Sequence, residues 1–349
     1  MSTEGAGATF QHGVCVYDSD RQFLETAVPF LAEGLALDEP ALAVTTPANL
    51  ELIGAALGQR GGDVDYAESA FFGRRPPQRV AAFYRYWRTR GAARDAATPG
   101  NLANPGNRAI QGGAARVRIL AEPVWAGRSA REIAAWTRME SALNVALAAT
   151  SISMICPYDA RTLGGDIVAD ALCTHPLLIT GQRSSPSARY VDPAAFARSR
   201  DAGPLADPPG DAAAFAFNGD LRALRRFITD RAAEYGVAGD RADMLVLAVS
   251  EVGAYLKRQP PGGAAVRTWE QPGAVVCDFR QPGGSIDDPF LGLRPAELEP
   301  GDGDGLWLSN QICDWMEIRS GADGCAVQLQ VPSRHDQELA AQPGIRYPA

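Results

Sequence analysis

GVCVYDSDRQFLETAVPFLAEGLALDEPALAVTT, residues 13–46, decides the fold of the first half of the chain. A short apolar run is followed by a helix-period pattern and then by a second apolar run, ALAVTT. The same alternation continues through LELIGAALGQRG (50–61) and DVDYAES (63–69). After a helix around Val80 to Arg90 it resumes with RVRILAEPVW (116–125) as a strand, SAREIAAWTRMESALNVALAAT (129–150) as a helix and SISMICPYD (151–159) as a strand. Strands alternating with amphipathic helices predict an α/β domain built on a parallel sheet covered on both faces. The Gly-, Asn- and Pro-rich stretch 91–115 has no periodicity and reads as a long loop or lid over that sheet.

From about residue 183 the chain turns to Ser, Pro, Ala, Asp and Gly, which marks a linker. The expected boundaries are a sensory-type domain over 1–190, a linker over 191–214, a second domain over 215–332 and a tail over 333–349. In the second domain Leu221, Leu224, Phe227 and Ile228 mark the buried stripe of one helix. Leu245, Ala248, Val249, Val252 and Leu256 mark that of another. The strand patterns AAVRTWEQ, AVVCDFRQ and CAVQLQV then follow, separated by turn signals, so this domain is expected to be α+β with mostly antiparallel strands.

The 349 residues suffice for two cores. There are 41 acidic against 33 basic residues and a formal net charge of −8, which argues against a direct nucleic-acid partner. Only Lys257 is lysine, a bias attributable to a GC-rich coding source. No leader pattern and no run of ~18 apolar residues is present, so a soluble, cytoplasmic protein with no membrane contact is expected. The six cysteines are far apart with no CxxC pair and read as reduced core thiols. Cys15 and Cys156 fall on strands and invite a soft metal or haem site with His, although packing is the simpler reading and no metal site is expected.

GDGDGLWLSNQICDWMEIRSGADGCAVQLQV (301–331) is the most informative stretch of the second half. A Gly-rich turn leads into an apolar helix, so backbone N–H groups can face an anion. Together with LRALRRFITDRAAEYGVAGDRADMLVLAVSEV (221–252), the region resembles the GHKL-type ATPase domain of anti-sigma serine kinases and histidine kinases, in the short form common in actinobacteria. That resemblance implies a Bergerat-type sandwich and a nucleotide pocket bounded by Gly301, Gly303, Gly305 and Leu306. It also implies a helix carrying a general-base Glu and, four residues on, a Mg²⁺-binding Asn. Glu251 matches the Glu, but the Asn position is Tyr255. The family's adenine-binding Asp-x-Gly falls on Gln281 and Gly283. ATP binding is therefore expected to be weak or absent and phosphoryl transfer lost, with Glu251 a vestige that reads equally as a solvated or paired helix residue. No cofactor is firmly expected; ATP and Mg²⁺ enter only if the altered site still works.

The first ~190 residues resemble the MEDS sensory domain, in HGVCVYDSDRQFLETAVPFLAEGLALDEPALAV, EPVWAGRS, MESALN and ICPYD. This implies a RecA- or KaiC-like layer, here without the GxxxxGK[ST] phosphate loop. His12 and His175 occupy places typical of the family. Glu122, Trp125, Tyr158 and Asp159 are expected near the carboxyl ends of strands, where doubly wound sheets bind ligands. His12 lies at the other end of its strand, which argues against one shared site. Glu122, in apolar surroundings, would be an acid or base, or else a structural partner for a helix N-terminus. Trp125, Trp136 and Tyr158 read more simply as core. No histidine lies on a helix suited to phosphotransfer, and His335 sits in the tail.

The leading expectation is thus a regulatory pseudokinase. It would sense a small molecule or partner through its first domain and bind a sigma factor or an antagonist through its second, and a homodimer is compatible with it. The alternatives are a recruited enzyme or ligand carrier of specialised metabolism and, third, an active serine kinase.

Overall fold

The structure, a computed structural model, describes residues 9–97, 116–200, 205–298, 301 and 303–332. The chain divides at Arg200 and Asp201 into two compact units.

The first unit runs β1 (Gln11–Tyr17), α1 (Asp20–Ala36), β2 (Ala41–Thr45), α2 (Pro47–Leu57), β3 (Asp65–Glu68), α3 (Pro76–Ala97), β4 (Val117–Ala121), α4 (Ala130–Ala146), β5 (Ile152–Asp159), α5 (Gly165–Thr174), β6 (Leu177–Thr180), β7 (Arg183–Pro186) and α6 (Pro193–Ser199). Its strands lie in the order β3-β2-β4-β5-β1-β6-β7. Every pair is parallel except β6 with β7. β2 and β4 are buried along their whole length, as expected of central strands covered on both faces. Right-handed crossovers send helices to opposite faces according to the direction of travel across the sheet. α1 and α2 accompany the steps toward β3, whereas α3, α4 and α5 accompany the return steps toward β6. This division decides which side chains can meet.

The sheet is therefore mixed rather than purely parallel. The antiparallel strand β7, with sequence RSSP, is exposed at every residue and carries a proline, both compatible with an edge. Its polar composition made it read as the start of a linker. Within the expected linker 191–214, α6 forms on a Pro193 N1 residue with the Asp192 side chain accepting from Ala195 N, and it packs on α4. The stretch read as a lid, 91–115, belongs to α3 as far as Ala97; residues 98–115 lie outside the described residues, as do the tail 333–349 and His335.

The second unit consists of β8 (Ala213–Phe217), α7 (Leu221–Glu234), α8 (Asp240–Arg258), β9 (Ala264–Gln271), β10 (Ala274–Pro282), α9 (Asp304–Ile312), β11 (Trp315–Gly321) and β12 (Gly324–Pro332). Its sheet, β11-β12-β10-β9-β8, is antiparallel throughout. The helix stripes read from the sequence meet it: Leu224, Ile228, Val249, Val252 and Leu256 pack on Val266, Phe279, Val327 and Leu329. Leu221 and Phe227 are partly buried at the margin. An α/β unit with a mainly parallel sheet is thus followed by a separate α+β unit. Among the described residues no helix is long and apolar enough to cross a membrane. The six cysteines are free thiols, five of them buried.

Candidate functional site

Two buried polar centres lie on opposite faces of the first sheet. Side chains alternate along a strand, so Cys15 and Tyr17 of β1 point to the α1 and α2 side, whereas His12 and Val14 point to the α3 to α5 side. On the first side Glu122, just past β4, is 6 % exposed. Its Oε1 accepts from the Tyr17 hydroxyl at 2.8 Å and its Oε2 accepts from Asn49 Nδ2 at 2.9 Å and from the Thr45 hydroxyl. Burial first, and then the neighbouring Glu122 charge, push the Tyr17 phenol upward. The surroundings of Glu122 are therefore polar, contrary to the apolar pocket expected, because β1, β2 and α2 each bring a donor. Its backbone carbonyl accepts from Arg79 Nη2 at 3.1 Å and from the Ser69 hydroxyl. Arg79, buried on α3, also donates to the carbonyls of Ser69 and Phe72 at 3.2 and 2.8 Å. Burial lowers the Arg79 pKa to about 10, so it remains a cation at neutral pH. The Glu122 carboxylate is saturated by this chain's own donors and ties three strand ends to a helix.

On the other face His12 (β1), Glu140 (α4), Cys156 (β5) and His175 (after α5) converge, each at most 3 % exposed. One ligand-type atom from each lies within 4.8 Å of all the others. Cys156 Sγ is 3.4 Å from His12 Nε2 and 3.9 Å from Glu140 Oε2. Glu140 Oε2 is 3.6 Å from Nε2 of both histidines. The outer nitrogens are held from behind. His175 Nδ1 faces the carbonyl of Ala171 at 2.8 Å, and His12 Nδ1 faces Asn144 Oδ1 at 3.1 Å. Asn144 is oriented in turn because its Nδ2 donates to the carbonyls of Ser141 and Thr174. His175 Nε2 is buried with no hydrogen-bond partner.

Burial pushes both imidazoles down to about 3, for His175 with help from the adjacent His12, so both are neutral at physiological pH. The distances to Glu140 are accordingly not ion pairs. Burial also raises the Glu140 carboxyl, against the pull of His175 and Arg79, and pushes Cys156 well upward.

Of the residues singled out in the sequence, His12 and His175 come together, with ring centroids 4.0 Å apart. Tyr158 joins them through an edge contact to His175 at 5.8 Å, and Trp125 lies 6.0 Å behind Tyr158. Glu122 is on the opposite face. Asp159 is bound by Arg161 at 2.8 Å near the surface. Cys15 and Cys156 are not neighbours in a site: Cys15 Sγ turns to Thr26 on α1 while Cys156 turns to His12, since Cys15 pairs with Pro157 and the two thiols point to opposite faces. Glu140 escaped the sequence reading. Its signal is a carboxylate set inside the apolar stripe Trp136, Met139, Leu143 of α4, where a solvated acid does not belong.

In the second unit Gln281 is 1 % exposed and its Nε2 reaches the carbonyls of Leu256 at 3.1 Å, Gly263 at 3.0 Å and Gln259 at 3.4 Å. Its Oε1 accepts from Cys325 Sγ at 3.6 Å. Gly283 has φ 73° in the turn that follows, a conformation that accounts for glycine there. Tyr255 and Leu306 are core residues. Glu251 is half-buried against the first turn of α9, where a β-carbon on Gly305 would overlap its carboxylate. Gly303 caps α9 without a side-chain bond, and Asp304 Oδ1 accepts from Gly301 N at 3.1 Å.

Residues 11–176 match the family model MEDS, described as the methanogen/methylotroph, DcmR sensory domain. The match begins one residue before His12 and ends one after His175, so it contains both buried centres. A search of curated proteins finds no match to the chain.

Proposed function

We propose, taking the sensory-domain match of residues 11–176 as the premise, that this is a regulatory protein whose first unit receives a small-molecule signal and whose second unit is a GHKL-like output module without phosphoryl transfer. The match is the observation that carries the sensory half. The state of Gln281 supports the second half. Its amide is spent on three backbone carbonyls of its own unit, so it is not available to read a base.

Two further features agree. Tyr255 stands in the core where the resemblance calls for a metal ligand. The N-terminus of α9 already faces Glu251 and Asp304, two carboxylates that disfavour a phosphate. The output then works by binding, with a sigma factor or its antagonist as the kind of partner the resemblance implies.

The test is calorimetry and thermal shift of the whole chain with ATP and ADP, with and without Mg²⁺, because a ligand that binds the native state must stabilise it. No Mg²⁺-dependent stabilisation is expected. A saturable, Mg²⁺-dependent shift would overturn the pseudokinase reading in favour of an active serine kinase and leave the sensory half intact.

A further inference from the structure

His175 Nε2 is a fully buried nitrogen with no hydrogen-bond partner, aimed at three other side chains that are metal-ligand types. Leaving such a group unmade is costly, which makes it a place to ask what completes it. We propose that His12, Glu140, Cys156 and His175 form a binding site for one divalent transition-metal ion, and that Zn²⁺ is the ion the donor set fits best. The proposal goes beyond the sensory reading and does not depend on it.

The spacing is the first argument. The two Glu140–imidazole separations of 3.6 Å are long for N and O hydrogen bonds, which centre near about 2.9 Å, and Cys156 Sγ stands 3.4 and 3.9 Å from His12 Nε2 and Glu140 Oε2. Around a tetrahedral zinc with bonds of ~2.0 to 2.3 Å, neighbouring donors stand ~3.3 to 3.8 Å apart. Four of the six edges of the quartet are thus within about 0.1 Å of that range, and the other two are no longer than 4.8 Å.

The second argument is the direction of the lone pairs. A backbone carbonyl can only accept, so Ala171 fixes the proton of His175 on Nδ1 and leaves the Nε2 lone pair facing inward. Asn144 does the same for His12, its amide orientation set by the two carbonyls that its Nδ2 serves. An oxygen behind each imidazole is the arrangement by which metal-bound histidines are oriented. Asn144 and Glu140 are four residues apart on α4, so one helix face presents both a donor and the residue that aims another.

Charge and donor chemistry choose the ion. Zn²⁺ with one thiolate and one carboxylate sums to zero, so the filled site places no net charge in the core. On binding, the Cys156 thiol loses its proton to solvent as Sγ takes the metal. Two imidazoles, one sulfur and one oxygen are a borderline set. Softer Cu(I) favours sulfur, and Mg²⁺ or Ca²⁺ favours oxygen. Four protein ligands leave no open position, which makes this a closed site that stabilises or signals rather than a catalytic one.

The experiment uses the full chain, stripped with a chelator and then titrated with Zn²⁺ against a chromophoric competitor, and in parallel loaded with Co²⁺ and read by absorption. One ion per chain is expected, with intense visible bands of tetrahedral Co²⁺ and a near-ultraviolet thiolate charge-transfer band. Cys156→Ser should remove the charge-transfer band and weaken Zn²⁺ about 100-fold or more. Asn144→Ala should weaken it about 10-fold, the scale expected when an orienting partner is lost. Cys15→Ser, on the opposite face, should change neither. Absence of Zn²⁺ binding by the stripped wild type, or a charge-transfer band that survives in Cys156→Ser, overturns the proposal. Should Cys156→Ser fail to fold by circular dichroism, the wild-type cobalt spectrum decides: a thiolate band with tetrahedral intensity supports the site and its absence rejects it. Either result leaves the sensory-domain match standing, so the two readings fail separately.

Discussion

Gln281 of the second unit and His175 of the first are both polar and at most 1 % exposed, yet only Gln281 is completed by its own chain. Gln281 spends its amide on three carbonyls and accepts from a thiol. His175 has one nitrogen satisfied and the other facing a carboxyl oxygen 3.6 Å away. Glu122, on the far side of the same sheet as His175, sides with Gln281: each of its oxygens has a donor. The contrast separates buried polar groups that hold a fold together from those that wait for something else. It also ranks what substitutions should do.

The largest effect is expected at Gln281. Gln281→Asp restores the residue type that the ATPase resemblance calls for, but it would set a buried carboxylate against three carbonyl oxygens. Leaving a buried charge unpaired costs about 3 to 5 kcal/mol. Chemical denaturation should show a loss of that size, and adding Tyr255→Asn, which empties a core position, should enlarge it. If the double variant instead folded and bound ATP with Mg²⁺, Gln281 would not be the structural bracket described here.

Next comes metal removal. Free Zn²⁺ at 1,000 times its dissociation constant should stabilise the chain by about 4 kcal/mol over the chelated form. In Cys156→Ser, with affinity lower by about 100-fold or more, the same free Zn²⁺ should stabilise by no more than about 1.4 kcal/mol. For Glu122→Ala the comparison predicts the opposite pattern. Stability should fall by about 3 kcal/mol, since the hydroxyls of Tyr17 and Thr45 and the amide of Asn49 lose their acceptor, while Zn²⁺ stoichiometry stays at wild type. A change in metal binding there would mean that the sheet does not insulate the two faces.

The parts of this molecule that were legible in the sequence are those where one physical signal dominates. β2 and β4 stood out because the apolar runs ALAVT and VRILA are buried on both faces. β7, β8 and β11 did not: RSSP is wholly exposed, AAFAF is too rich in alanine, and WMEIRSG lies at a sheet edge, half-buried. The same holds for the sites. His12 and His175 stand out in the sequence by places typical of the resembled family, but their meeting depends on β5 crossing behind β1 to β6, a tertiary fact. Glu140 was hidden by its alanine-rich helix. Strand parity alone separates Cys15 from Cys156, because parallel β1 and β5 pair Cys15 with Pro157 and Cys156 with Val14. That separation needed the register, which composition does not contain.

The smallest effect tests whether the quartet depends on local helix stability or on packing. α4 starts with a capping box: Glu132 N donates to Ser129 Oγ, and Glu132 Oε2 accepts from Ser129 N at 2.8 Å. The Ser129 hydroxyl and amide hold the Glu132 carboxyl below its ordinary 4.5. A carboxyl depressed in the folded state contributes stability that is present above about pH 4.5 and is lost as pH falls through the folded value. Ser129→Ala should therefore cost about 1 kcal/mol at neutral pH and less in acid, so the gap between wild-type and variant denaturation midpoints should narrow below about pH 4.5 without closing, because the bond from Glu132 N to Ser129 Oγ does not titrate. Zn²⁺ affinity should not change. Glu140 and Asn144 sit about three and about four turns from the cap, and the neighbouring Trp136, Met139 and Leu143 bury that part of the helix. A variant that lost metal along with its cap would show that the donors are placed by the helix start, and the contrast between a packed scaffold and an unfinished site would have to be redrawn around α4.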